Sequence, residues 1–146
     1  MCEVFISADP RSYDARTRSV RLHGVVTSIR LENLFWQVLE EIARRDDMVV
    51  VQLIERLYDE LVAARGEVGN FASFLRVSAL RYEALLAQGR IPADSSVAIR
   101  SLDAKTVLHE LPEGWGRPLL QQRPAATAAQ TSARVRTLHV AARRQA

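Results

Sequence analysis

Between Thr27 and Ala43 the stretch TSIRLENLFWQVLEEIA changes its hydrophobic period. Ile29 and Leu31 alternate with Ser28 and Arg30, the two-residue period of a half-buried strand. Phe35, Trp36, Leu39 and Ile42 then recur at helical spacing. A strand that passes directly into an amphipathic helix must bury one face of each against something, and a short chain offers few ways to do it.

The spacing predicts a strand over 25–32 and a helix over 33–45, with Phe35, Trp36, Leu39, Ile42 and Ala43 inside and Gln37, Glu40, Glu41, Arg44 and Arg45 outside. Upstream, RSVRL (18–22) also alternates, with Val20 and Leu22 on one face. The parity of the apolar set changes at Gly24, which predicts a bulge or bend there. Asp46 or Asp47 makes a plausible turn. A second helix is expected over 49–65, with Val50, Leu53, Ile54, Leu57 and Leu61 as its stripe and Gly66 and Gly69 as its stop. Asn70 then caps a third helix, 71–88, which ends at Gly89. Residues 1–17 read as a flexible leader, and 97–111 as a short helix or extended pieces. From Pro112 onward the chain is rich in Ala, Thr, Gln and Arg and has little to bury, so 90–146 reads as a weakly structured or disordered extension.

The net charge of +3 is unevenly spread. Residues 11–30 carry five Arg against one Asp, residues 31–70 four Arg against nine carboxylates, and residues 111–146 six Arg against one Glu. Positive charge thus lies on the strand region and the tail, with an acidic helical middle. Nineteen of the 20 basic residues are Arg, which contacts phosphates and guanines bidentately.

A unit of one strand and two helices cannot shield its own apolar stripe. Both strand edges are unpaired, and about 40 residues bury too little surface. The expected fold is therefore mainly α with one short strand per chain. Two copies would pair their strands antiparallel in an intertwined homodimer, with Ile29, Leu31, Phe35, Trp36, Leu39, Ile42, Leu53 and Leu57 forming the dimer core. Ser28 and Arg30 would face outward on a two-stranded ribbon. Such a ribbon fits the DNA major groove, about 12 Å wide, where alternate side chains meet base edges. Thr27 is a further candidate DNA contact beside Ser28 and Arg30, although it shares the parity of Ile29 and reads more readily as structural. Arg18 and Arg21 are candidate phosphate contacts.

The segment RSVRLHGVVTSIRLENLFWQVLEEIA, followed by NFASFLRVSAL, resembles the ribbon-helix-helix repressors, the group that includes Arc and MetJ, and more narrowly a subfamily common in proteobacteria. The residues that carry the resemblance are Arg18, Ser19, Val20, Gly24, Thr27, Ser28, Leu31, Glu32, Phe35, Trp36, Asn70, Leu75 and Arg76, over about residues 18–82. It implies a dimeric DNA-binding protein, a transcriptional regulator acting as a repressor. It also implies that the start of the second helix, Val49 and Val50, holds a DNA phosphate on its backbone N–H groups. Here Asp46 and Asp47 put negative charge beside that position, and Val49 supplies no hydroxyl cap.

No constellation for catalysis is present: no glycine-rich phosphate loop, no His-Glu-x-x-His, no Gly-x-Ser-x-Gly. His23, His109 and His139 stand singly, and Cys2 is alone, so neither a metal, a cofactor nor a disulfide is expected. No apolar run reaches the ~18 residues of a membrane span, and the N-terminus lacks a signal pattern, so a cytoplasmic protein is expected. Arg76 and Arg81 read as solvated helix charge, and RVRTLHVAARR (134–144) as an Arg-bearing tail. The alternative to a regulator is an antitoxin or adaptor whose residues 90–146 bind a protein partner.

Overall fold

In the computed structural model, whose described residues are 2–109, two strands, Ala15–Leu22 (β1) and Val25–Glu32 (β2), pair antiparallel within one chain. The chain reverses over His23 and Gly24, with φ of 48° and 82°. Positive φ at both central residues is the two-residue turn whose twist matches that of the flanking strands, and Gly24 adopts it without a Cβ penalty. Gly24 therefore marks a reversal of the chain, not the bulge or bend expected from the parity change. The ribbon precedes the three long helices as anticipated, but its second strand comes from the same chain. RSVRL extends back to Ala15 and supplies the partner that a second copy was expected to supply.

Three helices follow: Asn33–Arg45 (α3), Val50–Arg65 (α4) and Phe71–Ala87 (α5). Each begins and ends where its sequence signals lie. Gly66, at φ 84°, terminates α4, and the Asn70 side chain accepts a hydrogen bond from the Ser73 N–H to open α5. Of the leader expected over 1–17, Glu3–Ile6 (α1) and Pro10–Tyr13 (α2) form single helical turns, and Ala15, Arg16 and Thr17 already belong to β1. Asn33 ties α2 to the start of α3: its backbone N–H donates to Asp14 O at 2.9 Å and its side-chain amide to Arg11 O at 2.9 Å.

The core closes within one chain. Val20 and Leu22 from β1, Ile29 and Leu31 from β2, Trp36, Leu39 and Ala43 from α3, Leu53 and Ile54 from α4, and Leu75 from α5 are buried together. Phe35, Ile42 and Leu57 pack against this cluster half-buried. The residues expected to need a dimer for burial are covered instead by β1 and α5. Each fully buried Leu or Ile contributes roughly 1.5–3 kcal/mol, so these two elements remove the deficit of the isolated strand–helix–helix unit. His23 Nε2 lies 2.6 Å from Asp59 Oδ1 and ties the hairpin tip to α4.

Arg45 departs from the helical-wheel reading, which placed it outside. It is 5% exposed. Its Nε donates to Val97 O at 3.1 Å, Nη1 to the Tyr82 hydroxyl at 3.0 Å, and Nη2 to Pro92 O and Asp94 O, both at 2.8 Å. The Asp46 carboxylate, also buried, accepts the Arg100 N–H at 3.0 Å. The first part of the expected loose extension is thus fastened over the end of α3, with Ile91 buried. A 3-10 turn (Ile99–Ser101) and a last short helix, Ala104–Leu108 (α6), follow. The disorder expected from Pro112 onward, and RVRTLHVAARR within it, lie outside the described residues.

Candidate nucleic-acid interface

The hairpin register sorts its side chains onto two faces. Val20, Leu22, Ile29 and Leu31 point at the helices. On the other face Thr17 stands opposite Arg30, Ser19 opposite Ser28 and Arg21 opposite Val26, and all six are exposed. Ser28 and Arg30 lie on the face where alternation put them. Their cross-strand neighbours are Ser19 and Thr17 of the same chain, not the same residues of a second copy. Arg30 has no hydrogen-bond or ion-pair partner for its guanidinium among the described residues. Arg21 Nη1 donates to Gly24 O at 3.1 Å, which braces the turn and leaves its remaining donors outward.

The acidic member of this face is Glu32, and it is neutralised. Arg76 of α5 donates from Nε to Glu32 Oε2 at 2.7 Å and from Nη2 to Oε1 at 3.1 Å, a two-pronged pair. Arg76 Nη2 also reaches the Arg30 carbonyl at 3.4 Å. The hydrogen bonds from Arg76 hold the Glu32 carboxyl below the usual carboxylate range, and a backbone hydrogen bond adds to this. Arg76, read from sequence as solvated charge, therefore pins the end of β2 to α5. No local signal joins Glu32 to Arg76, which lie 44 residues apart in the sequence.

The other candidates are placed differently. Thr27 is half-buried on the inner face with Ile29, its hydroxyl donating to Val25 O at 3.5 Å. Arg18, expected as a phosphate contact, does not face outward. It lies on the inner parity of β1, its guanidinium carbon 4.6 Å from the centre of the Trp36 ring and its Nη1 2.6 Å from Glu40. Trp36 is buried, as its position on the helix stripe demanded, and its indole N–H donates to Arg16 O at 2.8 Å.

At the start of α4, Val49 is the exposed N-cap, and its N–H donates to Gln52 Oε1 at 3.1 Å. Val50 is half-buried against the core. A neighbouring cavity of about 420 Å³, lined by Met48 and Gln52 on either side of Val49 and Val50 in sequence, brings Asp46, Asp47, Glu55 and Asp59 together with Arg56 and Arg100. Four carboxylates against two guanidiniums oppose a phosphate there, although the Arg100 side chain comes within 3.5 Å of Asp47. The helix-start candidates are therefore set in an acidic neighbourhood, while the ribbon face is cationic.

Among the described residues no group of His, Cys, Asp and Glu is arranged to hold a metal ion, and no helix is long and apolar enough to cross a membrane.

Comparison with known proteins agrees with this architecture. The family model for the ribbon-helix-helix domain matches residues 15–83, which takes in β1, β2, α3, α4 and most of α5. No curated protein matches the chain. Among solved structures, an uncharacterized protein from Bordetella pertussis Tohama I is 66% identical, with a TM-score of 0.76 over 81% of this chain and 96% of that one. The family match begins at the first residue of the ribbon, and residues 15–83 of the chain belong to the ribbon-helix-helix domain family.

Proposed function

We propose that the chain is a sequence-specific DNA-binding transcriptional regulator, acting as a repressor, that sets the outer face of its hairpin into the major groove. The observation that carries the reading is the composition of that face. Thr17, Ser19, Ser28, Arg21 and Arg30 stand exposed on a ribbon two strands wide, and the carboxylate bordering them is held by Arg76. Two strands about 4.8 Å apart fit a groove about 12 Å wide. Arg30 has free donors for the acceptors of guanine, and the serines can donate or accept at neighbouring bases. Ser28 and Arg30 are the base-reading residues, with Ser19 and Thr17 beside them. Arg21, rather than Arg18, serves the flanking phosphates.

We infer further that two copies act together. Leu34 on α3 and Val77 and Leu80 on α5 are at least half exposed, on helices that pack against each other. A homodimer would cover such residues and present two hairpins to one operator. A mobility-shift titration on genomic fragments at two salt concentrations tests the DNA reading. Selective retention of some fragments, with affinity falling steeply as salt rises, is expected; no shift at low salt overturns it. Light scattering in the absence of DNA separates dimer from monomer.

A further inference from the structure

Beyond the hairpin's reading face, the far end of β1 borders a cavity of about 640 Å³. Arg11 of α2, Arg16 and Arg18 of β1, and Gln37 and Glu40 of α3 contribute to its wall. The volume lies within the range of small-molecule sites, about 300–1,000 Å³. Its charges are not balanced. Arg11 is taken by Asp9 through contacts of 2.7–3.2 Å, and Arg18 Nη1 by Glu40 at 2.6 Å. Arg16 has no side-chain hydrogen-bond or ion-pair partner among the described residues, so one full positive charge is left over.

Arg18 is also incompletely satisfied. Its Nε–H is buried and has no hydrogen-bond partner, although Glu40 serves Nη1. Stacking on Trp36 and the pair with Glu40 fix the guanidinium in place, and because its Nε is buried an occupant of the cavity meets Arg18 through its Nη end. Arg16 and Arg18 are two residues apart on one side of a strand and so project in the same direction, roughly 6.6 Å apart along the chain. That direction is the inner parity, opposite to the parity of Ser19 and Arg21. The ribbon therefore stands between this cavity and the face that carries Ser28 and Arg30.

We propose that the cavity binds a small organic oxyanion, a carboxylate or phosphate compound of metabolite size, with Arg16 and Arg18 gripping the anionic group and Gln37 hydrogen-bonding its neutral part. A phosphate of bound DNA carries the same chemistry, but its approach from the reading face is blocked by the ribbon itself. Glu40 is the internal competitor: an incoming anion and Glu40 contend for Arg18. The binding stands independently of the DNA reading, since it is measured without DNA.

The test is calorimetric titration of the full chain at constant ionic strength with succinate, citrate, inorganic phosphate and adenosine monophosphate in turn. At least one should bind saturably, with a Kd of about 1 mM or tighter. Arg16→Gln, at an exposed position whose backbone bond to Trp36 is retained, should weaken that binding at least roughly tenfold. Glu40→Gln should tighten it about threefold or more by releasing Arg18. Arg21→Gln, on the other face, should leave it unchanged, and circular dichroism confirms that each variant is folded. No saturable binding of any of the four up to about 10 mM, or binding indifferent to Arg16→Gln, overturns the proposal. Competitive displacement of the bound probe by a short DNA duplex also overturns it, in favour of a backbone phosphate as the occupant.

Discussion

Arg45 Nη1 donates to the Tyr82 hydroxyl at 3.0 Å, and the same hydroxyl donates onward to Glu41 Oε1 at 2.5 Å. This chain of bonds joins the last turn of α3 to α5, and through the other nitrogens of Arg45 to residues 92–97. Burial pushes the Tyr82 phenol above its ordinary pKa, and its bond to Glu41 adds to this, so it stays a neutral donor near pH 7. Removing Arg45 leaves a buried network without its centre. Arg45→Met should destabilise the fold by about 3 kcal/mol in urea unfolding. Hydrogen exchange should show amides of residues 97–102 losing protection before those of α3. Uniform loss across the domain would show that residues 97–102 are not a separate unit.

The closure of the core within one chain is tested by truncation. Leu39→Ala, at a position with no exposed surface, should cost about 3–4 kcal/mol. Val77→Ala, at an exposed position on α5, should change folding stability by less than about 0.5 kcal/mol. If Val77 lies in a dimer interface, its effect appears instead in the concentration dependence of the mass measured by light scattering.

Gly24 holds the second turn position at φ 82°. No atom crowds a Cβ placed there, so the penalty of Gly24→Ala is conformational alone. A cost of about 1–2 kcal/mol is expected from the left-handed backbone. Thermal unfolding of the single variant measures it, and a neutral result would mean that the reversal over His23 and Gly24 is not held as described.

Acid should release the end of β2. The Glu32 carboxyl is depressed in the folded chain by Arg76, so the folded state binds its proton less readily than the unfolded one. The stability this contributes is present above the unfolded carboxylate pKa and is lost as pH falls through the lower, folded value. Arg76→Met should therefore lower the melting temperature near neutrality, and the gap from the parent should narrow as pH drops below the ordinary carboxylate range. A gap that stays constant through that window would count against the pair.

On DNA, Arg30→Ala should lose about 1–3 kcal/mol and relax base preference, whereas Arg21→Ala should weaken all sequences alike and reduce the salt slope by about one. Arg18→Ala should act through stability rather than through the salt slope, because Arg18 stacks on Trp36 and pairs with Glu40. Binding isotherms at several salt concentrations separate the three.

Much of this protein follows from local physics and was legible without coordinates. The two hydrophobic periods, the glycine stops at 66 and 89 and the Asn70 cap place β2 and the three long helices. The parity of the strand puts Ser28 and Arg30 on one face and Ile29 and Leu31 on the other. Periodicity reports only which side of an element is apolar, so it could not say what covers that side. Tertiary structure alone decided that β1 folds back over His23 and Gly24 to cover the core from within the chain. It also turned Arg18 inward onto Trp36, drew Arg76 to Glu32, and buried Arg45 beneath residues 92–97. Each of those side chains is an arginine whose place depends on a partner 18 or more residues away. A long, flexible cation with several donors carries no preference in its local sequence; the carbonyl, carboxylate or ring that meets it after folding determines whether it reads, packs or pairs.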